Sequence, residues 1–167
     1  AVANAIIEEQ LSGSYYINDF TDVARPYCFN FSTYDIALSG LSMSSRMNIN
    51  PPKSLASFVR QVEQFTVYAA NSTLGATGLA DFLIVASIYV EDIIHIEYDH
   101  KYPVNIVKDY VKEIFKSFIY TINWEFRGNQ SPFTNISVYD TVFLKKLCKD
   151  YSIAGREADV NIVYQVQ

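Results

Sequence analysis

The sequence predicts a mixed α/β fold of long helices and a few short strands. Apolar residues recur at spacings of three and four through three long segments, as in helices with a buried face. Between them lie short aromatic or β-branched runs bounded by Gly, Pro, Ser and Asn, which have strand length. A third observation sets the scale. The chain has 167 residues, 50% of them hydrophobic, with no internal repeat or shift in composition, which suits one domain with a real core.

The elements follow in order. Val2, Ala5, Ile6 and Leu11 make a short helical face over 2–11, which Gly13 and Ser14 stop. Short strands are expected at 15–18 and around 27–31, the second following Arg25-Pro26. Residues 39–52 hold Gly, Ser and Asn, end in Pro51-Pro52, and are expected to form one long connection. Leu55, Phe58, Val59, Val62, Phe65 and Ala69 then define a strong amphipathic helix, with Ser54 placed to cap it. A second long helix is expected over 79–98, apolar nearly all round until Glu91, which calls for burial on more than one side. Val104, Val107, Val111, Ile114, Phe115, Phe118, Ile119 and Ile122 mark a third, over 104–124. A strand at 136–139, a short helix at 142–148 and a final strand or tail at 161–166 complete the expectation. These strands are short and far apart in sequence, so they are expected to find their partners outside this chain.

Charge and cysteine content narrow the function classes. With 13 Lys+Arg against 18 Asp+Glu and no basic tract, the chain lacks the surface that neutralises a nucleic-acid polymer. It lacks the pattern of a signal peptide, and its longest apolar run, 79–90, contains Asp81 and is too short to span a bilayer. A cytoplasmic location without membrane attachment is therefore expected. Two cysteines, Cys28 and Cys148, are too few for a disulfide framework, and free thiols are expected.

Each chemical candidate has a plainer reading beside it. Cys28, between Tyr27 and Phe29, is either a buried core thiol, the usual fate of a free cysteine, or a functional sulfur. Cys148 shares a helix face with Leu144 and is expected to pack. His95 and His100, near Glu91, Asp92, Glu97 and Asp99, suggest a carboxylate–imidazole metal site, but a spacing of five does not put two ligands on one helical face. Solvated surface charge explains them as well. Asp81 suits a first-turn acid at a helix N-terminus. The segment 127–135 is the densest in hydroxyls and amides, as befits either an ordinary loop or a polar substrate wall. Gly75-Ala76-Thr77-Gly78 lacks the Lys-Ser/Thr of a phosphate loop.

Taken in order, Tyr16-Ile17-Asn18-Asp19-Phe20, Arg25-Pro26-Tyr27-Cys28, Pro51-Pro52-Lys53-Ser54-Leu55 and Gly75-Ala76-Thr77-Gly78-Leu79-Ala80-Asp81-Phe82 resemble successive motifs of the anaerobic, glycyl-radical ribonucleotide reductases. Gln130-Ser131-Pro132-Phe133-Thr134-Asn135 is the sharpest match, similar to the family's Gln-Thr-Pro-Phe-Thr-Asn. The resemblance covers roughly residues 5–150 and implies the first half of a ten-stranded α/β barrel, completed by another chain or segment. It matches Cys28 to the first-strand cysteine that serves in the redox step at the 2′ carbon. It matches Ser131, Thr134, Asn135 and Asn18 to substrate-facing positions, and leaves Lys53 as a candidate for a deoxynucleotide effector's phosphate.

The resemblance further implies partners. These are the remaining reductase polypeptide with its finger-loop cysteine and glycyl radical, a radical-SAM activase, a ribonucleotide substrate, a deoxynucleotide effector and a second copy of the chain. Formate or a thiol system supplies the electrons. No cofactor is expected on this chain, since the glycyl radical and a zinc site belong to family segments that find no match in it. Thr77 and Asn18 also depart from the common Gln and His. The expected function is one part of a reductase that is inactive alone; the alternatives are a non-catalytic interaction or structural protein on the same scaffold, and a small helical regulator.

Overall fold

A computed structural model describes residues 2–14, 27–44, 47–97, 104–126 and 131–167. The expected strand at 15–18, and with it Asn18, lies outside these residues, as does His100. The helices predicted from periodicity are present: α1 (Val2–Ser12), α3 (Leu55–Ser72) and α5 (Val104–Ile122). Ser54 caps α3 by accepting from the Ser57 amide, and the Ser57 side chain accepts from the Ser54 amide in return, a reciprocal box built from two serines.

The short strands correct the expectation that their partners lie elsewhere. β1 (Phe29–Phe31), β4 (Thr77–Leu79) and β5 (Thr134–Ile136) pair with one another, all parallel, in the order β1-β4-β5. Register aligns Asn30 with Gly78 and Gly78 with Asn135. Parallel neighbours need long crossovers, and the helices between these strands supply them.

Other expectations are revised by non-local pairing. The connection at 39–52 contains an antiparallel hairpin, β2 (Leu41–Ser44) and β3 (Met47–Ile49), and a short helix, α2 (Tyr34–Ser39), leads into it. The helix expected from residue 79 begins later, because Leu79 is the end of β4; α4 runs Phe82–Asp92 and passes into a π-helical turn, Ile93–Glu97. The strand foreseen at 136–139 falls at β5 instead, and the short helix is α6 (Thr141–Leu147), capped by Asp140. A two-residue hairpin, β6 (Ser152–Ile153) and β7 (Arg156–Glu157), precedes α7 (Val160–Val166). That last segment is a helix rather than a strand or tail. Asp159 accepts from the Asn161 and Ile162 amides at its start, and Val163 is fully buried.

The apolar α4 does need more than one packing surface, and the same chain provides them. It packs on α3 and α7, and Phe82 stacks on Phe118 of α5 with centroids 4.6 Å apart. Phe58 of α3 stacks on both Phe82 and Tyr89, at 5.9 and 5.1 Å. These rings form a spine through three helices.

Asp81 does not cap α4 through its side chain. Its buried carboxylate instead accepts from Ser32 Oγ, the Thr33 amide and Thr33 Oγ1 at 2.5, 2.6 and 2.8 Å, which ties the end of β1 to the start of α4. Tyr151 also hydrogen-bonds Asp81, and burial followed by that carboxylate's charge pushes its phenol up to about 12. Burial and then Asp92 push Tyr89 up to about 12 as well. Between roughly pH 10 and 12 the unfolded chain loses tyrosine protons that the folded chain keeps, so stability is expected to fall as pH rises through that window. Denaturation midpoints measured at rising alkaline pH check this, and Tyr89→Phe should flatten the dependence.

Candidate active site

Cys28 lies immediately before β1 and is exposed, whereas Cys148 is buried; both are free thiols. Burial, and then the charge of Asp159, raises the Cys148 thiol above its usual range, as for a packing residue. The Cys28 sulfur accepts a hydrogen bond from the Ala76 amide at 3.2 Å, just ahead of β4. The Gly75 amide donates to the Tyr27 carbonyl, so the two chains close on each other around the sulfur. A Cβ on Gly75 would stand 2.6 Å from Tyr27 O and 2.7 Å from Cys28 Sγ. Glycine is what permits this approach.

The third contribution comes from the segment leading into β5. Pro132 is buried, and Phe133 holds a left-handed backbone, φ 43°, while its carbonyl accepts from the Thr77 amide at 3.1 Å. Such a conformation in a bulky residue is costly and persists only where its surroundings hold it. The result is a cleft of about 540 Å³ at the amino ends of the three strands, lined by Cys28, Gly75, Ala76, Ser131, Thr134 and Asn135, among others.

The structure therefore brings together four residues singled out in the sequence: Cys28, Ser131, Thr134 and Asn135. They differ in what they present. Asn135 is exposed, while Thr134 pairs in register with the buried Thr77 and has its Oγ1 buried without a hydrogen-bond partner among the described residues. Lys53 is exposed just before α3 and is not among the residues lining this cleft. Residues 127–130 of the polar loop lie outside the described residues. Gly75 and Ala76 were not foreseen as parts of the thiol's setting, because nothing in a Gly-Ala pair reports a sulfur 48 positions away.

Two other features are separate from the cleft. His95 is exposed and 3.7 Å from Glu91, and Arg156 pairs with Asp92, whose carboxyl is raised by burial with Arg156 acting against the shift. Among the described residues no group of three or more His, Cys, Asp or Glu is placed to hold a metal. A larger groove of about 790 Å³ runs between α5 and α7, with Val111, Phe115 and Val166 on its floor and Lys108, Lys112 and Lys116 along it. No helix among the described residues is long and apolar enough to cross a membrane.

Parallel strands in sequential order, with a cysteine and a hydroxyl- and amide-bearing segment meeting at one end, define an α/β protein with a thiol at its cleft. The chain belongs to the anaerobic ribonucleoside-triphosphate reductase family, which it matches over residues 1–164. It is similar to the solved anaerobic ribonucleotide reductase of Thermotoga maritima in complex with dATP and CTP, at 27% identity and a TM-score of 0.85 over 99% of this chain and 27% of that one. The same enzyme with citrate in the active site gives 27% identity and a TM-score of 0.86, over 99% of this chain and 30% of that one. With dATP bound in the specificity site the values are 28% and 0.84, over 99% and 28%. The chain thus spans between a quarter and a third of the length of these relatives. No curated protein gives a significant match.

Proposed function

We propose that this chain supplies the cysteine-bearing part of an anaerobic ribonucleotide reductase, which reduces ribonucleotides to deoxyribonucleotides by radical chemistry once assembled with the polypeptide that carries the finger-loop cysteine and glycyl radical. The observation that carries the reading is the placement of the Cys28 sulfur on the Ala76 amide, in the same cleft as Ser131, Thr134 and Asn135. Cys28 passes hydrogen to the 2′ carbon as the 2′ hydroxyl leaves as water. The two electrons come from formate or a thiol system, and a radical-SAM activase installs the glycyl radical. Ser131 and Asn135 orient the nucleotide, which holds the reacting carbon against the thiol. Thr134 and Asn18 complete the family's substrate-facing set, and Lys53 meets an effector phosphate at the start of α3.

The three paired strands are read as the first strands of a ten-stranded barrel, whose remainder extends the sheet beyond β1 and β5. Among the described residues the outer edges of those two strands have no partner, which favours that completion. The assembly works in the cytoplasm, and a second copy of the chain joins it. The test is ribonucleotide reduction by the assembled protein with its activase. Turnover that requires this chain supports the reading. Assembly without any turnover would favour a non-catalytic role for the scaffold.

Gly75 gives a sharper check on the thiol's setting. Gly75→Ala should displace the sulfur by the several tenths of an ångström that its Cβ needs, and lower turnover by about 10- to 100-fold. Steady-state rates of the assembled reductase measure this. An unchanged rate would mean that the thiol does not depend on that close approach.

A further inference from the structure

The sheet presents two unlike faces. Phe31, Thr77, Leu79 and Ile136 belong to the side that meets the helices: Thr77 and Leu79 are fully buried, and Phe31 packs edge-on against Phe65 of α3 at 4.9 Å. Sequential strand order with crossovers of one hand places connecting helices on a single side. Alternation then turns Asn30, Gly78 and Asn135 to the other side, and both asparagines are exposed. The three residues are exact register partners across β1, β4 and β5. Gly78 has no side chain to raise between its neighbours, and Asn30 uses the space: a Cβ on Gly78 would overlap Asn30 Oδ1. The Asn30 carboxamide therefore lies across the middle strand in the direction of Asn135, which also lines the Cys28 cleft.

We propose that Asn30, laid over Gly78, is a further substrate-binding residue that works with Asn135 on the vicinal hydroxyls of a ribonucleotide's sugar; this rests on the reductase reading above. Each carboxamide offers an acceptor oxygen and two N–H donors, the combination that a pair of adjacent hydroxyls can both donate to and accept from. Because the middle position is glycine, the Asn30 carboxamide lies low over its backbone on the way to Asn135, so a sugar meets two amides side by side. Asn30 stands two residues after Cys28, in the strand that Cys28 leads into, which couples the grip on the sugar to the position of the thiol.

The experiment compares binding of CTP and 2′,3′-dideoxy-CTP to the assembled protein by equilibrium dialysis, for the wild type, Asn30→Ala and Gly78→Ala. The wild type is expected to favour CTP, and Asn30→Ala to cut that preference about tenfold, the scale of one or two lost hydrogen bonds, while dideoxy-CTP binding changes little. Gly78→Ala, which displaces the amide without removing it, should reduce the preference in the same direction. A purely structural role for Asn30 would weaken both ligands alike and leave their ratio unmoved, which overturns the inference. An undiminished preference in Asn30→Ala overturns it too and leaves the reductase reading standing. Wild-type protein that binds neither nucleotide, or both equally, overturns that reading and this inference together.

Discussion

Cys28→Ser in the assembled protein is expected to abolish ribonucleotide reduction, with a loss on the order of a thousandfold or more, the scale seen when a reacting group is removed. Serine preserves the size and hydrogen-bonding capacity of the side chain, and the residue is exposed, so the fold should survive. What disappears is a weak S–H bond able to hand a hydrogen atom to carbon; an O–H bond is far too strong for that step. Product formation from a labelled ribonucleotide measures the effect, and full turnover in the variant would remove Cys28 from the chemistry. Cys148→Ala is the matching control. That thiol is buried beside Leu144 in the core, so its loss should lower the melting temperature and leave the rate per folded molecule unchanged.

Phe82→Ala is expected to have the largest effect on stability, a loss of about 3–5 kcal/mol. The Phe82 ring is 1% exposed and touches Phe58, Phe115 and Phe118, two of them by stacking and one edge-on. Its removal opens a cavity where α3, α4 and α5 meet, and the flanking rings cannot follow without breaking their own contacts. Domains of this size are stable by only about 5–15 kcal/mol, so the variant should unfold at much lower urea. Val142, which is 69% exposed on α6, provides the comparison: Val142→Ala should stay within about 0.5 kcal/mol of wild type. Similar losses in the two variants would mean that the ring spine does not hold these helices together.

The long helices and the thiol were legible for different reasons. Leu55, Phe58, Val59 and Val62 repeat at helical spacing, and Val107, Val111 and Phe118 do the same, a local pattern that needs no partner to be read. Cys28 and the 131–135 segment were legible through ordered motifs rather than through any physical property of their own. The strands were legible only in part: the one expected around 27–31 is β1, whereas β4 was not foreseen and β5 begins two residues before the expected 136–139. Phe29–Phe31, Thr77–Leu79 and Thr134–Ile136 are three residues each, too short for alternation to stand out, and their stability comes from pairing across gaps of dozens of residues. Leu79 looked like the first residue of a helix because it begins an apolar run; its burial in the central strand decided otherwise. Residues 161–166 were expected to form a strand or tail, and the Asp159 cap with packing on α4 and α6 makes Val160–Val166 a helix instead.

The sequence by itself determined where the long helices lie and which family the motifs resemble, since each of these is written in neighbouring residues. Only the tertiary structure decided that the three short strands pair in sequential parallel order. The same is true of the Cys28 sulfur resting on the Ala76 amide where Gly75 leaves room, and of Asn30 crossing Gly78 toward Asn135. The physical reason is that register and close approach are relations between strands far apart in the chain. A missing Cβ reads as punctuation in a sequence and becomes a site only when another strand's side chain fills the space.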